Sequence, residues 1–125
     1  MKSSLLALAL VIAPVTLAPA LVPTPTYAAA TVSQLGDLSS FHKIIQDTLD
    51  LVNKNDLVGA AKRITDYETA WDKAQSTLQP KNKAIWRSLD GASDVAITAV
   101  RDKKQDVATM KKALSDFLIA LDNPK

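Results

Sequence analysis

The chain has 125 residues, 15 basic against 13 acidic side chains, a net charge of +2 and no cysteine. The lack of cysteine excludes disulfides, thiolate metal sites, covalent haem attachment and the lipidated cysteine of a lipoprotein. So small a charge excess does not indicate nucleic-acid binding, because Asp102, Asp106 and Asp116 lie among and beside the lysines of residues 103–112.

The first thirty residues have the pattern of an export signal. Lys2 precedes an apolar run over residues 5–13, and residues 26–30 end in three alanines. Four prolines interrupt or close the apolar segment, which favours cleavage over permanent anchoring. We therefore expect residues 1–30 to be a signal peptide. Residues 31–125 are expected to form one domain that is periplasmic or secreted, with no stable membrane insertion after cleavage.

The first helical pattern has Ser39 or Ser33 as its expected cap, and Gly36 counts against the earlier of these two starts. Its apolar positions are Leu38, Phe41, Ile45, Leu49 and Val52.

The second pattern is the strongest in the chain, because its apolar residues alternate steps of three and four as packed helices require. These residues are Leu57, Ala60, Ile64, Tyr67, Trp71, Ala74 and Leu78. Residues 53–55 supply expected capping and turn positions before it. Pro80 ends it, since proline inside a helix costs about 3 kcal/mol.

Two further helical patterns follow. The third comprises Ile85, Trp86, Leu89, Ala92, Ala96, Ile97 and Val100, and small residues near Gly91 are expected to permit close helix contact. The fourth comprises Val107, Met110, Leu114, Phe117, Leu118 and Leu121. Four helices of similar length with short connections predict an all-α, up-down four-helix bundle. A three-helix bundle with a frayed first segment is the alternative.

Aromatic residues near the second turn form the candidate ligand site. Trp71 and Trp86 flank Pro80, so their rings are expected at similar heights near one end of the bundle. Together with Tyr67, Asp72 and Arg87 they are predicted to line a ligand site, and core packing is the competing interpretation. That site comprises Tyr67, Trp71, Asp72, Trp86 and Arg87.

A metal site is the alternative hypothesis, because carboxylates could approach one another across adjacent helices. Its residues are Asp66, Glu68, Asp72, Asp90, Asp94 and His42. Exposed ion pairing is the competing interpretation. Haem held between His42 and Met110 is disfavoured, since both lie in the first halves of antiparallel helices and hence toward opposite ends. No cofactor is predicted.

The residues Thr65-Asp66-Tyr67-Glu68, Ala70-Trp71-Asp72, Trp86, Leu89-Asp90, Asp94 and Arg101 form a pattern spanning about half of the chain. It resembles small exported bacterial proteins of uncharacterised function, some of which are labelled histidine kinases. The resemblance implies no kinase activity here, because the chain lacks a nucleotide-binding domain and His42 is not in a recognisable phosphoacceptor motif. It assigns no active residues.

The sequence therefore predicts a noncatalytic periplasmic protein that binds an envelope protein or a small ligand, as an accessory or sensory component. It is expected to be a monomer or weak dimer that does not bind nucleic acid. A metal- or haem-binding carrier is the alternative. A Gly-rich phosphate loop, a Ser-His-Asp set and an HExxH motif are all missing from the sequence.

Overall fold

The computed structural model describes residues 33–125, and the predicted signal peptide lies outside the described residues. The described chain forms α1 (Ser39–Asn53), α2 (Leu57–Leu78), α3 (Lys83–Arg101) and α4 (Val107–Asp122). The prediction of four helices is confirmed. The three-helix alternative is wrong, because α1 is a complete helix of 15 residues.

The four helices form an up-down bundle in which each packs against two neighbours. α1 lies against α2 and α4, and α3 lies against the same two helices. Within residues 33–125 the diagonal pairs, α1 with α3 and α2 with α4, make no close backbone approach. Of the four neighbouring pairs, α2 and α3 share the fewest close contacts, which leaves room for a groove between them.

Three of the helices begin at residues whose side chains cap them. Asp56, Asn82 and Asp106 accept hydrogen bonds from backbone N–H groups two or three residues later. Such a cap stabilises a helix by about 0.5–2 kcal/mol. The expected cap of α2 within residues 53–55 is wrong: Asp56 caps the helix, and Asn55 lies in the preceding turn with a φ of 60°.

The start of α1 also differs from expectation, since neither Ser33 nor Ser39 caps it. The Asp37 carboxylate accepts the backbone N–H of Ser39 at 2.8 Å. Ser33 instead closes a turn by accepting the N–H of Gly36 at 2.8 Å. Gly36 has a φ of +105°, which favours glycine. This turn directs the fully buried Leu35 into the core.

Apolar side chains from all four helices and from the turn before α1 form one core. Its members are Leu35, Leu38, Phe41, Ile45, Val52, Ala60, Ile64, Tyr67, Trp71, Leu78, Ile85, Trp86, Leu89, Ala96, Val100, Met110, Leu114, Phe117, Leu118 and Leu121. The buried hydroxyls of Thr48 and Ser93 donate to carbonyls of their own helices at 2.8 and 2.7 Å. Those hydrogen bonds offset the free-energy cost of burying a polar group.

Ion pairs join neighbouring helices on the outside of the bundle. Arg63 of α2 lies 2.8 Å from Asp47 of α1. Lys43 and Arg63 together hold the pKa of the Asp47 carboxyl below its usual value. Such partly exposed pairs contribute about 0–1 kcal/mol each. None of the helices in the described part of the chain combines the length and apolarity needed to cross a bilayer.

Candidate functional site

Five aromatic side chains, at least one from each helix, meet in one half of the core. The rings of Trp71 and Trp86 stack with centroids 4.0 Å apart and planes at 4°. Phe41 meets Trp71 edge-on at 5.1 Å, and Phe117 meets Tyr67 edge-on at 5.3 Å. Offset stacks and edge-on contacts are the geometries that aromatic pairs prefer. The two tryptophans thus lie at the same height, as their spacing around Pro80 predicts.

A hydrogen bond across α2 and α3 orients the stacked pair. The indole Nε1–H of Trp71 donates to Asp90 Oδ1 at 3.0 Å. Asp90 is partly exposed and lies one helical turn after Trp86 on α3. Because a buried indole N–H needs an acceptor, this carboxylate allows Trp71 to be buried with only 3% of its surface exposed.

The five residues predicted to line a ligand site do not share one surface. Tyr67, Trp71 and Trp86 are buried, with 0%, 3% and 3% of their surfaces exposed. Asp72 and Arg87 lie exposed on the outside of the bundle. A ligand could contact the three aromatic side chains only by displacing their rings from the packed core. The three aromatic residues are therefore part of the hydrophobic core, and a binding role for the five predicted residues stays a prediction.

The Tyr67 hydroxyl is the one buried side-chain polar atom within residues 33–125 that makes no hydrogen bond of normal geometry. Burial raises the pKa of its phenol well above the usual value, and the nearby Ser93 hydroxyl opposes this only in part. Ser93 itself donates to the carbonyl of Asp90. The Tyr67 hydroxyl is thus neutral and desolvated.

Three of the five carboxylates of the alternative metal site are engaged with other groups. Asp66 pairs with Arg63 at 3.1 Å, and Glu68 pairs with Arg101 at 2.6 Å. Asp90 accepts the Trp71 indole N–H. Across the described residues, no three histidine, aspartate or glutamate side chains are grouped so that they could hold a metal ion. The geometry gives the metal hypothesis no support.

His42 has a partner that its local sequence does not reveal. Its Nε2 lies 3.1 Å from Asp122 Oδ1, at the end of α4. Met110 lies in the first turn of α4, twelve residues earlier, which corresponds to roughly 18 Å along a helix. The structure therefore places His42 and Met110 toward opposite ends of the bundle, and it does not bring together a haem-ligating pair.

A groove of about 820 Å³ lies between the first half of α2 and the end of α3, far from the tryptophan stack. We call it the α2–α3 groove. Its apolar floor comprises Leu57, Val58, Ala61 and Val100. Val58 is 70% exposed. This groove was not predicted from the sequence. The available signal was Val58, an apolar residue that lies outside the α2 stripe and is therefore expected on the surface of the helix.

Basic side chains surround the α2–α3 groove. Arg101 donates to Glu68 at 2.6 Å and to Thr65 at 3.0 Å, and so bridges α3 to α2. Lys62 and Lys103 also line the groove and are exposed. Neither lysine has a carboxylate within 4.0 Å in the part of the chain that the structure describes. The groove can thus offer free positive charge beside an apolar surface.

The backbone is strained at one edge of this groove. Gln105, which lines it, has a φ of 48°. Its backbone N–H donates to the carbonyl of Asp102 at 3.0 Å, closing the α3–α4 turn. A residue with a Cβ pays roughly 1–2 kcal/mol in this region, and strain of this kind concentrates at functional sites.

A second groove, of about 470 Å³, lies between α3 and α4. Its lining residues are Val95, Ala108, Thr109, Lys112, Ala113 and Asp116. Lys112 and Asp116 pair with each other at 2.6 Å. Its two charged groups are therefore already matched, unlike those of the α2–α3 groove.

Several of the residues that carry the resemblance to exported bacterial proteins contact one another across α2 and α3. Trp71 contacts both Trp86 and Asp90, and Arg101 contacts Glu68. The resemblance itself stays a prediction. In comparisons with known proteins, no family model matches the chain, and no curated protein or solved structure is significantly similar to it.

Proposed function

We propose that this protein is a noncatalytic, exported helical bundle that binds a partner protein or small ligand in the α2–α3 groove. It would act in the periplasm as an envelope accessory or sensory component. The export part of the proposal rests on the signal-like residues 1–30.

One observation carries the binding part: exposed apolar surface and uncompensated positive charge occur in the same groove. Val58 leaves 70% of its surface in water, next to the partly exposed Leu57 and Ala61. Lys62 and Lys103 border this surface. Apolar surface framed by polar residues is typical of interaction sites.

The noncatalytic part rests on the residue types present. The polar groups of the groove are basic, amide, hydroxyl and two aspartate side chains. The chain's single histidine, His42, lies instead between α1 and the end of α4, where it pairs with Asp122. Without a histidine beside them, these groups lack the usual general base that activates a nucleophile.

Site-specific photocrosslinking in a bacterium that exports the full chain tests this function. A photoreactive amino acid at position 58 is expected to trap a defined partner or ligand, identified by mass spectrometry. The matched control is position 95, because Val95 is similarly exposed at 62% but lies in the α3–α4 groove. Equal products from both positions, or none from position 58, would contradict the proposal.

A further inference from the structure

The acidic and basic side chains around the α2–α3 groove differ in whether they have partners within the protein. Its two carboxylates already have partners within the protein: Asp66 pairs with Arg63 at 3.1 Å, and Asp102 accepts a backbone N–H two residues later at 3.0 Å. Lys62 and Lys103 have no carboxylate within 4.0 Å among residues 33–125. The backbone N–H leaves Asp102 negatively charged, so the two lysines against this one aspartate leave an excess of one positive charge for an occupant, which favours acidic groups.

The apolar floor is short. Leu57, Val58 and Ala61 lie on the first two turns of α2, and Val100 lies opposite them on α3. Two helical turns rise only about 11 Å. Such a floor suits one or two aliphatic side chains rather than a long acyl chain.

The shape of the groove favours a protein segment over a small ligand as its occupant. The groove is widely open to solvent, whereas small-molecule pockets enclose most of their ligand's surface. Only one face of a bound protein segment needs to contact the groove, because its other face can stay in water or pack against the rest of the partner protein. Helices commonly bind in grooves of this kind with apolar anchors spaced three or four residues apart.

We propose that the occupant of the α2–α3 groove is an acidic segment of a partner protein. One or two aliphatic side chains of the segment pack on Val58, Ala61 and Val100. Flanking aspartate or glutamate side chains pair with Lys62 and Lys103. This inference rests on the proposed function and specifies the chemistry of its partner.

Selection from a random peptide library on the purified protein tests the inference. We expect the recovered peptides to combine aliphatic residues with an excess of aspartate and glutamate. The double variant Lys62→Glu/Lys103→Glu is expected to bind them roughly tenfold more weakly or worse, because each attraction becomes a repulsion. Near-UV circular dichroism of the distant tryptophan stack verifies that the variant is folded.

The control variant is Lys73→Glu/Lys83→Glu, which makes the same change in net charge outside the groove. Both lysines are exposed, and neither is in an ion pair within the described residues. Its affinity for the recovered peptides is expected to match that of the parent protein. An equal loss of affinity in both double variants would mean that net charge, and not the groove, recognises the peptide, and would overturn the inference.

Other outcomes distinguish the inference from the proposed function. Recovered peptides without an acidic excess, or peptides that bind the Lys62→Glu/Lys103→Glu variant equally well, would overturn the inference and leave a binding function standing. Laurate serves as a small anionic probe, followed by amide chemical shifts. If no peptide is recovered and laurate perturbs residues 57–66 and 100–105, the groove takes a small amphiphile instead. If neither binds, the proposed function fails as well.

Discussion

The rings of Trp71 and Trp86 stack in nearly parallel planes across α2 and α3, with centroids 4.0 Å apart and planes at 4°. Their contact joins the pair of helices that otherwise approach each other least. It lies near the turn that links them, while the α2–α3 groove occupies the other end of the same helix pair. The stacked rings thus close one end of this interface, and at its other end the groove leaves Val58 exposed.

The hydrogen bond from Trp71 to Asp90 is predicted to stabilise this packed half. Asp90→Ala leaves the buried indole N–H without its acceptor, which we expect to lower the free energy of unfolding by about 1–3 kcal/mol. Asp94→Ala is the matched control, one turn further along α3 at an exposed position. It should change stability by less than about 0.5 kcal/mol. Urea unfolding measures both, and equal effects would contradict a role for this bond.

Tyr67→Phe is predicted to leave stability at neutral pH unchanged or to raise it by up to about 1 kcal/mol. The substitution removes a hydroxyl that is buried without a normal hydrogen bond in the described part of the chain and keeps the ring that packs against Phe117. Chemical unfolding at pH 7 measures the difference. A loss above about 2 kcal/mol would show that the hydroxyl has an effective partner.

The same residue predicts a pH dependence. Burial raises the pKa of Tyr67 above that of tyrosine in the unfolded chain, which is about 10. At higher pH the unfolded state loses a proton that the folded state keeps, so stability falls above about pH 10, by up to 1.4 kcal/mol per pH unit. The part of this loss of stability that comes from the Tyr67 phenol should be absent in Tyr67→Phe. Parallel pH titrations of the unfolding free energy of both proteins test it.

Most of the fold could be predicted because the apolar spacing of each helix is regular. Five of the seven residues of the α2 stripe, including Ile64, Tyr67 and Trp71, are buried in the core, and the other two are partly buried against it. Leu35 was missed because its burial depends on the turn at Gly36 rather than on helical spacing. Ser93 was missed because hydropathy does not show that its hydroxyl is satisfied by its own helix.

The site was less predictable, for physical reasons. The local sequence does not determine which amphipathic residues near a stripe become buried, and the structure places Trp71 and Trp86 in the core. Nor does the sequence show how closely α2 and α3 approach at each end, and the exposure of Val58 depends on that. His42 and Asp122 likewise meet only through the packing of α1 against α4.

Gly91→Ala is predicted to stabilise the bundle by about 0.5–1 kcal/mol, because alanine has the higher helix propensity. Of the small residues expected to permit close helix contact, Ala96 is fully buried, but Gly91 is exposed and a Cβ there would meet nothing within 4 Å. At position 59 the new Cβ would collide with the Asp56 carboxylate that caps α2. Gly59→Ala should therefore gain less or destabilise. Thermal unfolding distinguishes the two.

Gln105→Gly is predicted to stabilise the protein by about 0.5–1 kcal/mol, since glycine accepts the positive φ of 48° at this position without strain. Asn55→Gly is the control, because asparagine tolerates its φ of 60° better than glutamine does. It should have the smaller effect in the same thermal unfolding experiment. A larger gain at position 55 would show that the α3–α4 turn is not strained.

The central claim is that this bundle binds its partner through the α2–α3 groove. The most direct test is isothermal titration calorimetry of a library-selected peptide with the parent protein, Val58→Glu and Val95→Glu. A glutamate at position 58 is tolerated near the start of α2, where the helix dipole favours negative charge. We predict at least roughly tenfold weaker binding for Val58→Glu, with Val95→Glu unchanged. Equal affinities for all three proteins would contradict the account.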